Sequence, residues 1–523
     1  MSTRRSPDSW VRAEVSRRAF LAGGLALLPY RRSYASGSGS QPVRLQTSPF
    51  TLGVASGDPA SDGVVLWTRL APDPLNGGGM PLEPVEVRWQ IARDDRMVNI
   101  VNSGIAVASP MWAHAVHVEV AGLEPDRWYW YQFRVGNETS PIGRTRTLPN
   151  PGTPVDRLRF AFASCQHFEM GYFTAYQHLA AEDLDLVFHL GDYIYETASR
   201  DGDVRQHLGP ELNTLDDYRN RYAQYRGDPD LQAAHAAFPW IVTWDDHEVA
   251  NNYAGTVSNR QDAVDVFLER RAAAYQAYYE HMPLRRSSMP QGPSLQLYRQ
   301  FSYGTLASFF VLDTRQYRTD QPCEDAIKPP CDGVFDPRAT LLGAEQERWL
   351  FDGLDRSQSR WNVMPQQVMM AKVDLMPGPP QRYAMDQWSG YDAERTRLLD
   401  FLRRRRPANP VVLTGDIHSN WVNDLKADFA DSKSPVVATE FVGTSISSGG
   451  DGADLSEVMK AVVAENEFVK FYNSQRGYVS CEVTPAAMRA DYRIVDYVTR
   501  RGAPRRTRAT FVVESGIPGA QPA

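Results

Sequence analysis

Four apolar runs of the chain end in side chains that can bind metals. LRFAFASC (158–165) ends in Cys165, and DLVFHLGDYIYE (185–196) carries Asp192 with Tyr193 and Tyr195. WIVTWDDHE (240–248) carries Asp245, Asp246 and His247, and NPVVLTGDIH (409–418) carries Asp416 and His418. One aspartate at a strand end opens a turn or caps a helix. Four such endings in one chain are harder to explain that way. Gathering several carboxylates, an imidazole and a thiol in one buried place is costly unless a cation neutralises them. Thiolate, phenolate and imidazole with a carboxylate suit a ferric ion, whereas the surplus acids Asp245, Asp246 and Asp416 suit a harder, oxygen-seeking ion such as calcium or manganese. The ligand types therefore predict two unlike metals.

For these endings to meet, the runs must be neighbouring strands of an open α/β sheet, where ligands collect at the carboxyl ends. The pattern agrees: short, nearly continuous apolar runs, LASFFVLD (306–313) among them, alternate with amphipathic stretches such as 171–182 and 262–281. Buried central strands with covering helices read this way, and the predicted class is α/β, with β-sheet layers flanked by helices over 155–515. Upstream, VEVRWQIARD, HAVHVEVAGL and RWYWYQFRVG alternate apolar and polar residues. They predict a small all-β sandwich of immunoglobulin or fibronectin type over 44–148. Leu123, Pro125 and Tyr129 are arranged as in a tyrosine corner. LPNPGTP (148–154) is the linker between the two. Near the C-terminus, GYVSCEVTPAAMRADYRIVDYV reads as a hairpin returning to the sheet, with Cys481 as a small buried hydrophobe.

The segment SRRAFLAGGLALLPY sets Arg17 and Arg18 before an apolar stretch too short to span a bilayer, and SYA (33–35) offers small residues for cleavage. It reads as a twin-arginine export signal, with residues 1–40 as leader and flexible mature N-terminus. The twin-arginine translocase is then a partner during export, and the destination is periplasmic or extracellular. That route carries folded proteins, which suits a chain that acquires its metal first. A formal charge of −7 argues against a nucleic-acid partner. RRRR (403–406) reads as a solvated helix end, against a phosphate or partner patch. In an exported protein, Cys323 and Cys331, which bracket CEDAIKPPC, are expected to close that loop by a disulfide.

The segments SPFTLGVASGDPASDGVVLWTRL, SCQ, GDYIYE, TWDDHEVANNY, LDTRQYR, DQWSGY and LTGDIHSNW stand in the order seen in PhoD-type alkaline phosphatases. The resemblance covers essentially the whole mature chain. More distantly the chain is similar to purple acid phosphatases and the calcineurin-like metallophosphoesterases. The resemblance implies Fe(III) held by Cys165, Asp192, Tyr195 and His418, with Tyr195 at the spacing of the purple phosphatases' tyrosinate. Asp192 would bridge to calcium, one ion or two, held also by Asp416 and by Asp245 or Asp246. Asp246 is favoured because it stands where the wider family has the Asn of Gly-Asn-His-Glu. SCQ replaces the wider family's Asp-x-His, and GDIH its Gly-His-x-His, which makes the site less zinc-like.

The implied activity is hydrolysis of phosphate esters. The ions would activate water for in-line attack on phosphorus, and His247 would contact the phosphoryl oxygens or protonate the leaving oxygen. Asn251 and Asn252 would add polar contacts to substrate, and Arg315 would pair with a phosphate or with a structural carboxylate. Ser164 lacks the elbow motif of a serine hydrolase. Phosphomonoesters are the expected substrates. The alternative is a phosphodiesterase or phospholipase D-like hydrolase with the same metals, distinguished by the roofing loops at 199–230, 318–335 and 374–392. A calcium-stabilised binding protein is the reading from another class, and Cys165, Tyr195 and His418 argue against it because calcium has no use for sulfur.

Overall fold

The computed structural model describes residues 47–523; the twin-arginine segment and its cleavage residues lie outside the described residues. Strand Leu158–Ala163 shows how the core is organised. Successive side chains of a strand point to opposite faces, so Leu158, Phe160 and Phe162 meet Phe309, Val363 and Leu413 of a second sheet. Ala161 and Ala163 on the other face meet helix residues such as Tyr176, Tyr222 and Tyr278. The result is two facing sheets with helices outside both, which is why these strands are apolar on both faces.

The first sheet has ten strands and contains Leu158–Ala163, Leu186–His189 and Pro239–Val242 side by side and parallel. The second has seven, with Ala307–Val311, Trp361–Pro365, Pro410–Thr414 and Val436–Val442 in parallel order. Helices Gly343–Arg356 and Asp392–Arg405 cover its outer face through Leu350, Leu354, Leu398 and Leu402. The expected helical stretches are Thr174–Ala180 and Val264–His281. The expected C-terminal hairpin pairs Gly477–Val483 with Ala487–Val495, with Cys481 buried opposite Phe160.

The N-terminal sandwich is present, and it shares a sheet with the rest. Val54–Gly57 runs parallel to Pro239–Val242, so Val54–Gly57, Val64–Arg69 and Ala115–Val120 extend the ten-stranded sheet. Gly57 permits this approach, since a Cβ there would lie 2.6 Å from the carbonyl oxygen of Trp240. A five-stranded sheet including Val85–Ala92 and Trp128–Val135 packs across it through Val87, Ile91, Tyr131 and Phe133. In the expected tyrosine corner, the Glu124 N–H donates to the Tyr129 hydroxyl at 2.9 Å. The arginine run ends helix Asp392–Arg405, where Arg403 and Arg404 pair with Asp400, and Arg405 with Asp355.

Candidate metal centre

Each metal-competent residue follows a parallel strand, and the backbone there turns sharply. Cys165, Asp192, Asp416 and His418 have φ of 57°, 56°, 63° and 54°. Non-glycine residues adopt this left-handed region at a cost of roughly 1–3 kcal/mol each, so the surroundings must hold them there. The Cys165 N–H donates to the Gly191 carbonyl (3.0 Å) and that of Gln166 to Asp192 (3.0 Å), tying the first two strand ends together. Glu248 ties the second to the third: its carboxylate accepts the N–H groups of Asp192 (3.1 Å), Tyr193 (2.6 Å) and Asp245 (2.8 Å). Gly191, at φ 113°, is required where it stands, because a Cβ would fall 2.4 Å from that of Asp245.

The side chains so placed form adjoining groups with ligand atoms within 4.8 Å of one another: Cys165, Asp192 and His418; Asp192, Asp246 and His247; Asp245, Asp246 and Asp416. The Tyr195 hydroxyl joins the first, donating to Asp192 Oδ2 (2.8 Å) and lying 3.2 Å from His418 Nε2 and 2.6 Å from Ser448 Oγ. Among the described residues, three buried carboxylate oxygens have no hydrogen-bond partner: Asp192 Oδ1, Asp245 Oδ2 and Asp246 Oδ1. Burial above all pushes the carboxyls of Asp192 and Asp245 well up, that of Asp416 up to about 7, and the Cys165 thiol up. Burial disfavours their charged forms unless a cation offsets it. Burial and Arg476 hold His418 down at about 3, leaving the neutral imidazole that binds metals. Orphaned oxygens, costly carboxylates and a neutral imidazole fit a cation-binding cleft, with sulfur, phenol and imidazole on one side and only carboxylates on the other.

Two basic groups complete the cleft. Arg315 is fully buried and donates to Asp245, to Asp386 (2.8 Å) and to Asp416 (3.4 Å), with Asp246 at 3.7 Å. Of its two readings, the geometry fits pairing with carboxylates, Asp386 and the metal-competent Asp245 and Asp416, rather than with a phosphate. Against the opposing effect of burial, Arg315 and then His247 hold the Asp246 carboxyl well below the usual range. His247 Nδ1 lies 2.6 Å from Glu196 Oε2, and its ring is 4.2 Å from that of Tyr195. Burial opposes its charge, but Glu196, Asp246 and Asp192 prevail and push its pKa well up. A cavity of about 460 Å³ opens here, lined by His247, Tyr195, His418, Ser448, Arg200 and Arg260 among others. A larger one of about 540 Å³, beside Arg360, Arg403 and Arg406, is at the opposite end of the parallel strands and holds none of this chemistry. In the nearby trio His167, Glu169 and His207, Glu169 Oε2 lies 3.2 Å and Arg221 Nη1 2.9 Å from His207 Nδ1.

The family model for the PhoD-like phosphatase matches residues 160–492, and that for its N-terminal domain matches 36–149. The chain belongs to the PhoD-like phosphatase family. It is 53% identical over 523 residues to alkaline phosphatase D of Bacillus subtilis (strain 168), covering 98% of this chain and 90% of that protein. The solved structure titled "Structure of PhoD" superposes with a TM-score of 0.90 at 55% identity, over 92% of this chain and 93% of that one. The protein is accordingly a hydrolase acting on phosphate esters.

In this PhoD-like phosphatase the cleft brings together Cys165, Asp192, Tyr195, Asp245, Asp246, His247, Asp416 and His418. Asn252 lies beside it with its amide donated to Asp325 (2.8 Å), and Cys323 and Cys331 are disulfide-bonded. Sequence reasoning missed Glu196, Glu248, Asp386, Gln387 and Ser448. The first four stand inside or beside the quoted segments GDYIYE, TWDDHEVANNY and DQWSGY, so their signal was present without a role attached. Ser448 had none.

Proposed function

We propose that this phosphatase is an exported phosphomonoesterase that works with Fe(III) at Cys165, Asp192, Tyr195 and His418 and with calcium, one ion or two, at Asp192, Asp245, Asp246 and Asp416. The observation that carries it is the division of one buried cleft into a sulfur–phenol–imidazole side and an all-carboxylate side that adjoin at Asp192 and Asp246. When bound, the ions supply Lewis acidity that neutralises phosphoryl charge and makes water acidic enough to serve as nucleophile. The remaining work falls to the chain. His247, kept cationic by Glu196, contacts the phosphoryl oxygens and gives its proton to the departing alcohol. Arg315 balances the carboxylates when they are ionised. Arg17 and Arg18 support export through the twin-arginine translocase. No helix among the described residues is long and apolar enough to cross a membrane.

A diesterase is the second reading, because a cavity of about 460 Å³ leaves room for a second ester arm beside Arg200 and Arg260. Metal analysis of the purified protein, combined with rates on para-nitrophenyl phosphate and bis-para-nitrophenyl phosphate, tests both. Iron and calcium with faster monoester cleavage are expected. Faster diester cleavage would replace the monoester reading, and protein free of iron and calcium yet fully active would overturn the metal assignment.

A further inference from the structure

The loop closed by Cys323 and Cys331 reaches the carboxylate side of the cleft along two arms. On the first, Asp325 Oδ2 accepts the Asn252 amide at 2.8 Å. The Asn252 N–H in turn donates to Asp246 Oδ2 at 2.5 Å. Gln321, just before the disulfide, donates to the Asn252 carbonyl and to Asp386 Oδ1, both at 2.7 Å. On the second arm, Ile327–Lys328 pairs with Tyr383–Ala384. Asp386 follows and accepts Arg315 and Arg318, and Gln387 donates to Asp416 Oδ2 at 2.5 Å. Cys323 packs against Val334, Tyr383 and Met385, beneath that second arm.

The loop is also strained. Cys323, Glu324 and Asp325 have φ of 60°, 65° and 42°, three consecutive non-glycine residues in the left-handed region. Such residues visit that region singly, so a run of three persists only where other bonds over-determine it. Two such constraints are present: the disulfide, and the hydrogen bond from Asn252 to Asp325. A loop held this way has little freedom to let Asn252 move.

We infer that the disulfide-closed loop is a clamp for the carboxylate side of the metal centre, with Asp325 as a positioning residue that acts through Asn252 on Asp246. The inference rests on the calcium reading above. It leaves the iron side untouched, because no hydrogen bond from the loop reaches Cys165, Tyr195 or His418. Loss of a group that orients a metal ligand typically weakens metal binding by about 10- to 100-fold.

The test is a calorimetric calcium titration of the purified full-length protein, with iron content measured on the same samples. Asp325→Ala is expected to weaken calcium binding about 10-fold or more with iron content unchanged. Asp325→Asn, whose amide oxygen still accepts from Asn252, should stay within about threefold of wild type, and the double variant Cys323→Ser/Cys331→Ser should behave like Asp325→Ala. Calcium binding by Asp325→Ala within twofold of wild type would overturn the clamp. So would an Asp325→Asn protein as weak as Asp325→Ala, because charge rather than the hydrogen bond would then be the cause. Wild-type protein that takes up no calcium would overturn the calcium reading and the clamp with it, a pattern distinct from equal binding by wild type and variant.

Discussion

Replacing Glu248 by glutamine tests how the strand ends are held, because it preserves shape while changing one acceptor into a donor. Oε2 of Glu248 takes the N–H groups of Asp192 and Asp245, and Oε1 takes that of Tyr193. A glutamine can offer its oxygen to the first pair, but its NH2 then faces the Tyr193 N–H. One buried donor is left unpaired, at about 1–3 kcal/mol, and the two remaining bonds lose their charge assistance, about 1 kcal/mol each. Against this, burial pushes the Glu248 carboxyl up to about 7, so ionising it in the fold costs about 3 kcal/mol relative to the unfolded chain, which a neutral amide avoids. The first sum, about 3–5 kcal/mol, exceeds the second by at most about 2 kcal/mol, so overall stability should fall only modestly. The local misfit does not cancel: it sits on the turn that aims Asp192. A loss of about 1–3 kcal/mol there is roughly a 5- to 150-fold loss in metal retention. The assay is competition with a chelator at pH 8, where Glu248 is ionised, with release of para-nitrophenol measured in parallel. Glu248→Gln that keeps its metals and rate within threefold of wild type would refute the reasoning. Glu248→Ala, which leaves all three donors unpaired, must be worse than glutamine on both readouts.

Glu196→Gln removes the first of the carboxylates that keep His247 protonated, so the alkaline limb of the rate profile should move to lower pH, with kcat down about 10-fold or more for esters of poor leaving groups. An alkaline limb in the same place would remove His247 as the acid. Tyr195→Phe takes away the oxygen that meets Asp192, His418 and Ser448, and visible absorbance from tyrosinate bound to iron should disappear or shift; unchanged colour would strike Tyr195 from the iron ligands. Glu394, 1% exposed, is raised by burial to about 7, so the folded state keeps a proton that the unfolded chain has released. Stability should therefore fall as pH rises from the usual glutamate range toward 7, by about 3 kcal/mol in total. Glu394→Gln should flatten that slope in denaturant midpoints taken at pH 5 and 8, and identical slopes would contradict the assignment.

What could be read from the sequence divides along physical lines. Buried parallel strands are apolar throughout, so a polar residue at the end of one stands out, and Cys165, Asp192, Asp245 and Asp416 were visible for that reason. Half-buried strands alternate, which made the sandwich visible. That its first strand pairs with Pro239–Val242 was not visible, because sheet neighbours distant in the chain carry no local mark. Arg315 is similar. An arginine at a strand end suits a phosphate as well as a carboxylate, and only the positions of Asp245, Asp386 and Asp416 decide between them. Glu248 was hidden for another reason: its partners are backbone N–H groups, which every residue has and no sequence pattern displays.

The left-handed residues connect these observations. Cys165, Asp192, Asn252, Asp416 and His418 all have positive φ, a conformation that composition would assign to glycine. Glycine would cost least there, but it carries no side chain to bind a cation or, at Asn252, to donate to Asp325, so chemistry and backbone preference conflict at all five positions. Each conflict is met by a bond that holds the turn. The Cys165 N–H has the Gly191 carbonyl, that of Asp192 has Glu248, and that of Asn252 has Asp246. Asp416 has Gln387 and Arg315, and the His418 carbonyl accepts from Arg476 (2.5 Å) and Thr444 (3.2 Å). The turns that aim the side chains of the cleft are therefore held by hydrogen bonds of the protein itself. This division of labour explains why glutamates and arginines that bind nothing themselves are as deeply buried as the ligands they hold.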